Sequence, residues 1–168
     1  NEGLQDLVFV AGEIQGLPAF PSVLAIGQPI DVGIIAVPAA SVLQAVRECA
    51  AAGANSVVVI SAGFGEMGPE GQAEQERIRE FVRRAGMRMV GPNCMGILTT
   101  DPLVCLHATF PPTAAPPGNV GMLSQSGSLG VAILEHARDL HIGISSFVSV
   151  GNKADVSGND LLAFWKDD

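Results

Sequence analysis

Four short segments of this chain carry residue types and spacings that could do chemistry. Leu123-Ser124-Gln125-Ser126-Gly127-Ser128-Leu129-Gly130 runs from an apolar stretch through small hydroxyl residues into an amphipathic one. A strand-to-helix turn of this kind presents backbone N–H groups that no helical carbonyl satisfies, at the positive end of the helix dipole. Ser124, Ser126, Gly127 and Ser128 are therefore candidate phosphate ligands. An ordinary Ser-capped helix start needs the same residues. A nucleophile elbow centred on Ser126 fits poorly, because Ser stands at 124 and 128 where that motif has Gly, and His136 and His141 fall on or at the end of the very next helix.

Gly63-Phe64-Gly65-Glu66-Met67-Gly68 matches G-x-G-x-x-G after a strand-like run. Pro69 follows the third glycine, however, and Arg88-Met89-Val90 stands where a ribose-binding acid belongs, so a dinucleotide site and an oxidoreductase rank below other readings. Gly91-Pro92-Asn93-Cys94-Met95-Gly96 is a polar turn directly after a buried strand, at the edge where α/β sheets bind ligands. Gly151-Asn152-Lys153-Ala154-Asp155 sets an amide, a cation and a carboxylate within one loop of a chain that holds only one other lysine, Lys166. The alternative for that loop is a self-satisfied turn, with Asp155 capping the next helix and Lys153 in solvent. No metal site is expected: Cys49, Cys94 and Cys105 have no C-x-x-C spacing, and His136 and His141 are not a helical i, i+4 pair.

The elements that must position these segments are legible from apolar periodicity. Leu7–Val10, Val32–Val37 and Val57–Ile60 read as buried strands. Ser41–Gly53 reads as a helix capped by Ser41 and ended by Gly53, with Val42, Val46 and Cys49 on its inner face. Glu70–Gly86 is a second helix, acidic in its first turns and basic in its last, and Met87–Val90 a further strand. This alternation predicts an α/β fold with a parallel sheet covered by helices on both faces. Gly91–Asn119 reads as irregular and Pro-rich, ending in a linker. Beyond it come a strand at Val120–Leu123, a helix at Ser128–Leu140, a strand at Ser145–Val150 and a helix from about Asn159. The expected domains are 1–110, a 111–117 linker and 118–168.

Composition sets the boundaries. The chain has 168 residues, 48% hydrophobic and 15% charged, with a net charge of −8. That is too apolar for a disordered chain and too acidic for a nucleic-acid binder, whose affinity depends on Lys and Arg at phosphates. No apolar run reaches the roughly 20 residues of a membrane span, and the N-terminus has no signal-type pattern. A reducing cytoplasm is expected, with no membrane partner. Between Met89 and Leu134 the only charged side chain is Asp101, so an anion held there would rely on backbone N–H groups. The chain opens without Met and close to a strand-like run, which suggests a piece of something longer.

With these residues in place the chain resembles the NDP-forming acyl-CoA synthetases and, more distantly, the succinyl-CoA synthetase α-subunit. The resemblance runs through Ile35-Ala36-Val37-Pro38-Ala39, Ile60-Ser61-Ala62-Gly63-Phe64, Gly91-Pro92-Asn93-Cys94-Met95-Gly96, Ser124-Gln125-Ser126-Gly127 and Gly151-Asn152-Lys153-Ala154-Asp155, in order along nearly the whole chain. It implies an N-terminally truncated Rossmann-like CoA-binding domain followed by the start of a flavodoxin-like ligase domain. It also implies CoA or acyl-CoA near Pro38, Ser61, Ala62, Gly63, Pro92, Asn93 and Cys94, and a phosphorylated histidine received at Ser124, Ser126, Gly127 and Ser128. Asn152, with Lys153 and Asp155, becomes a possible acyl or phosphate pocket. The implied activity is ligation of a small carboxylic acid to CoA through a phosphohistidine relay. ATP or ADP and Mg would act only through an ATP-grasp domain or subunit that is missing here. The family's first βα turn would precede Asn1 and its histidine would follow Asp168, so no catalytic residue is expected and the fragment alone should be inactive. The missing first strand would leave an apolar edge that favours a homo-oligomer. A CoA-sensing regulatory module of an acetyltransferase fusion is the main alternative.

Overall fold

The computed structural model describes residues 12–14, 16–110 and 116–166. The strand expected at Leu7–Val10 lies outside the described residues. The described chain opens on an antiparallel hairpin, β1 (Gly12–Ile14) and β2 (Leu17–Ala19). The βαβ rhythm then sets in with β3 (Val32–Ile35), α1 (Ala39–Ala51), β4 (Ser56–Val59), α2 (Pro69–Arg84) and β5 (Arg88–Val90). The three strands pair in parallel in the order β3-β4-β5. Val57, Val58 and Val59 of the central strand are all buried, as a strand covered on both faces requires. Val42, Val46 and Cys49 of α1 and Ile78 and Val82 of α2 close one core with Ile35, Val57, Val59, Met87 and Met89. Among the described residues β3 and β5 are the two outer strands of this sheet, and Ile34 on β3 is exposed.

Both helices end in the same way. Gly53 and Gly86 take positive φ, and paired bonds close the last turns: Gly53 N to Ala50 O and Ala54 N to Cys49 O after α1, Gly86 N to Arg83 O and Met87 N to Val82 O after α2. The start of α1 corrects the sequence reading. Ser41 does not cap it; the helix begins at Ala39 behind Pro38, and Ser41 N already donates to Pro38 O at 2.8 Å.

The second half is built from β6 (Gly96–Thr99), β7 (His107–Thr109), β8 (Pro117–Ser124), α3 (Gly127–Asp139), β9 (Ile144–Ser149) and α4 (Gly158–Lys166). Its sheet runs β7-β6-β9-β8, with β8 parallel to β9 and β6 antiparallel to both β7 and β9. The expectation of an irregular Gly91–Asn119 stretch is thereby corrected. Two strands lie inside it, and both join the sheet of β8 and β9, although they fall within residues 1–110. Each has only three or four residues, too few for a period to show. Gly96 is required at this join: its φ is 93°, and a Cβ there would stand 1.9 Å from Ala108 O on β7.

Helices cover both faces of this sheet. α3 packs where Gly130 meets the Phe147 ring, and α4 lays Trp165 over Gly121, its Nε1 donating to Ser146 Oγ at 2.8 Å. Ser146 and Phe147 are adjacent on β9 and so point to opposite faces.

Candidate functional site

The C-terminal ends of β3, β4, β5, β8 and β9 deliver the sequence-selected segments to one region, where short bonds link them in series. Ser61 Oγ donates to Val37 O, and Asn93 N to Ser61 O at 2.9 Å. Asn152 N donates to Pro92 O at 2.9 Å, and Val150 N to Ser124 O at 2.9 Å. Met95 N donates to the hydroxyl of the buried Ser149 at 2.9 Å, which ties the turn after β5 to the end of β9. These bonds run without a break from the loop after β3 to the loop after β9.

Within this series Pro38 leads into α1, Ala62 is exposed, and Gly63 has φ 106° with space for a Cβ only 3.0 Å from Ala39 Cβ. Gly91-Pro92 is a cis peptide, Pro92 is buried, and Asn93 stands exposed with φ 54°. Cys94 is buried and donates its thiol to Val59 O at 3.2 Å. Burial raises the thiol's pKa, against a weaker opposing bond from Gly96, so Cys94 is packed rather than nucleophilic.

The turn after β8 caps its helix as a Ser-rich start should. Ser126 Oγ accepts from Leu129 N at 3.4 Å and stands 3.4 Å from Ser128 Oγ, while buried Ser124 donates its hydroxyl to Ser126 O at 2.6 Å. Ser126 and Ser128 are exposed. Gly127 lies against the neighbouring turn: a Cβ on it would stand 2.2 Å from Met95 Cγ. The small residue at 127 is thus what lets the Ser-rich helix start and the Asn93 turn touch.

The loop after β9 docks along the free side of β5 and the turn beyond it, with Val156 N donating to Met89 O at 3.1 Å and Ala154 N to Gly91 O at 3.1 Å. Lys153 is exposed at φ 53°. Asp155 does not cap α4, correcting that alternative. Its buried carboxylate faces back to the first half of the chain, pairing with Arg83 and with Arg88 Nε at 3.0 Å and accepting from Met89 N at 2.8 Å. The start of α4 is held by Asp160, which accepts from Ser157 N at 2.9 Å and from the Ser157 hydroxyl at 2.6 Å.

Two residues absent from the sequence-selected set sit at the centre of the region. The Glu66 carboxylate accepts from Gly63 N at 2.6 Å, from Phe64 N at 3.2 Å and from Asn152 Nδ2 at 2.6 Å. Gln75, buried in α2, accepts from Gly65 N at 3.3 Å and from Asn152 Nδ2 at 2.9 Å. Partial desolvation would raise the Glu66 pKa, but the Asn152 and backbone donors outweigh it and hold the carboxyl below its ordinary value. The glycine motif at 63–68 therefore closes on its own glutamate, and its Gly65–Met67 segment is a 3₁₀ turn rather than the first turn of a phosphate-binding helix. The chain's own signal was Glu66 within that motif; Gln75 left none. A groove of about 160 Å³ lined by Leu43, Arg47, Arg77, Glu80, Phe81 and Arg84 lies between α1 and α2, away from these loops.

Residues 7–100 match the CoA binding domain family, and residues 117–168 match the succinyl-CoA ligase like flavodoxin domain. The α-subunit of acetate–CoA ligase [ADP-forming] I from Pyrococcus furiosus is 44% identical over 158 residues, 93% of this chain and 34% of that protein. The chain belongs to the NDP-forming acyl-CoA synthetase family. Acetate–CoA ligase [ADP-forming] I of Archaeoglobus fulgidus is 43% identical over 157 residues, 93% of this chain and 23% of that protein. Among solved structures, acetyl-coenzyme A synthetase 1 of Ca. Korarchaeum cryptofilum, in complex with phosphate and ADP, superposes with a TM-score of 0.87 at 41% identity, covering 93% of this chain and 33% of that one. This synthetase-family chain thus spans about a third or less of the length of these relatives.

Proposed function

We propose that this chain is the CoA-binding and phosphate-receiving part of an NDP-forming acid–CoA ligase. The observation that carries the reading is the contact between the Ser126–Ser128 helix start and the Pro92–Cys94 turn through Met95 and Gly127. A phosphoryl group at the helix start and a thiol at the turn would then meet over one sheet edge. The residues fit CoA: Pro38, Ala62 and the Gly63 backbone are small and neutral, and the motif loops there place one exposed carboxylate, Glu66, which is already engaged by backbone N–H groups. When bound, CoA supplies the thiol that takes the acyl group. The chain's part is to seat the pantetheine arm along Pro38, Ser61–Gly63 and Pro92–Cys94, and to offset phosphate charge with the amides and dipole at Ser126–Ser128. Asn152 and Lys153 border that seat.

In the whole reaction a carboxylate, CoA and a nucleoside triphosphate yield the thioester, the diphosphate and inorganic phosphate. A phosphohistidine, Mg and an ATP-grasp domain or subunit, all supplied from outside residues 1–168, would carry the phosphoryl group. Within this scheme residues 1–110 form the CoA-binding part and 118–168 the beginning of the ligase part, with β6 and β7 bridging them. The full-length protein, given acetate, CoA, ATP and Mg, should form acetyl-CoA and ADP in equal amounts. Gly127→Val should abolish transfer of labelled phosphate to the protein, because a branched Cβ fills the anion's approach and presses on Met95. CoA binding without thioester formation in either direction would contradict the ligase and favour a CoA sensor. Unchanged labelling in the variant would reduce Ser124–Ser128 to a capped helix start.

A further inference from the structure

We propose that Glu66 and Gln75 are positioning residues: together they fix the amide orientation of Asn152 and, through it, of Asn93, so that Asn93 meets the acyl end of CoA with a set donor and a set acceptor. This rests on the function proposed above. Neither residue is marked by the sequence motifs as a ligand, and they reach the site from different elements, the loop after β4 and the interior of α2.

An ionised carboxylate can only accept. Glu66 Oε1 takes the N–H groups of Gly63 and Phe64, and Oε2 takes Asn152 Nδ2. Gln75 commits its oxygen to Gly65 N, so at this point it too presents an acceptor, again to Asn152 Nδ2. Both hydrogens of Asn152 Nδ2 are thereby used, and the amide has one orientation left. Asn152 Oδ1 faces Asn93, whose Nδ2 donates to it at 3.3 Å. The consequence falls on Asn93, an exposed residue whose backbone is already held by Ser61 O. It keeps its oxygen and one N–H for a ligand, in an order dictated by Glu66 two links away. The network is anchored by buried Gln75 and half-buried Asn152, and such a network specifies a single arrangement only when each member is satisfied.

Glu66→Gln tests this directly. The new amide nitrogen faces Asn152 Nδ2, donor against donor, so Asn152 must turn and Asn93 with it. Adding Asn152→Asp removes the conflict at residue 66, because the aspartate accepts from the new glutamine and still accepts from Asn93, and Gln75 answers it by turning its amide to donate, giving up the longer bond from Gly65 N. In the full-length protein E66Q should raise the KM for CoA at least about fivefold, with kcat within about twofold of wild type. E66Q/N152D should restore KM to within about twofold, a rescue that a merely structural role for Glu66 does not produce. Gln75→Leu, which deletes the second acceptor from a different element, should raise KM in the same direction, and it decides the matter should E66Q fail to fold. Wild-type KM in both single variants, or a double variant no better than E66Q, overturns the proposal. A wild-type protein that neither binds CoA nor forms thioester overturns the proposed function itself, and this inference with it, before any variant is compared.

Discussion

The Asp155 side chain is fully buried: Oδ2 accepts from Arg88 Nε and from Met89 N, while Oδ1 makes no hydrogen bond and has only its ion pair with Arg83. Arg83 and Arg88 remain 53% and 44% exposed, so solvent screens much of their attraction. The backbone N–H of buried Met89 has no such recourse. Asp155→Ala should therefore lower stability by about 2–3 kcal/mol, mainly from stranding that N–H, while Arg83→Ala should cost less than about 1 kcal/mol. Urea denaturation of both variants measures the difference, and equal losses would show that the ion pair dominates instead. From the sequence, Asp155 is only an acid after a turn, equally suited to a helix cap or a pocket. What decides its role is Met89, 66 residues earlier along the chain, and no local pattern encodes such a pairing.

At the scale of elements, helix seating in the second half depends on two glycines. A Cβ on Gly130 would stand 2.8 Å from Phe147 Cζ and 3.1 Å from Ser124 Cβ, and one on Gly121 would stand 2.6 Å from Trp165 Cε2. Gly130→Val should force α3 off β9 and cost about 1–3 kcal/mol, seen as a lower denaturation midpoint with an unchanged slope. An unchanged midpoint would mean that the Phe147 ring simply turns aside. The parallel unit from β3 to β5 was readable because its β-branched runs are uninterrupted and Gly53 and Gly86 mark the helix ends. β6 and β7 were not, since Pro92, Pro102 and Pro111 break up their surroundings and their strand character comes from pairing with β9 and with each other. The candidate site divides in the same way. Its loops were legible as turns at strand ends, whereas the Asn93–Asn152–Gln75 bonds join residues brought together only by the fold.

Across the whole molecule, two carboxylates that bridge distant segments contribute to the response to acid. Glu66 is held below its ordinary value by Asn152 and backbone donors in spite of desolvation, and Asp160 is held well below its own by the Ser157 hydroxyl and N–H and by Arg88. Each folded-state pKa lies beneath the unfolded one, about 4.3 for Glu and 3.9 for Asp. Their stabilisation is therefore complete above those unfolded values and is lost as pH falls through the folded ones. The melting temperature should decline on acidification below about pH 4, and less steeply in Asp160→Asn. A parallel decline in that variant would assign the acid response to other groups. The central claim, that CoA lies across the loops after β4 and β5, is tested most directly by deuterium exchange of the full-length protein with and without CoA. Exchange should slow in peptides covering 61–66 and 91–95 when CoA is added and stay unchanged with NADH. Slowing by NADH at 63–68, or slowing by CoA that leaves both peptides untouched, would contradict it.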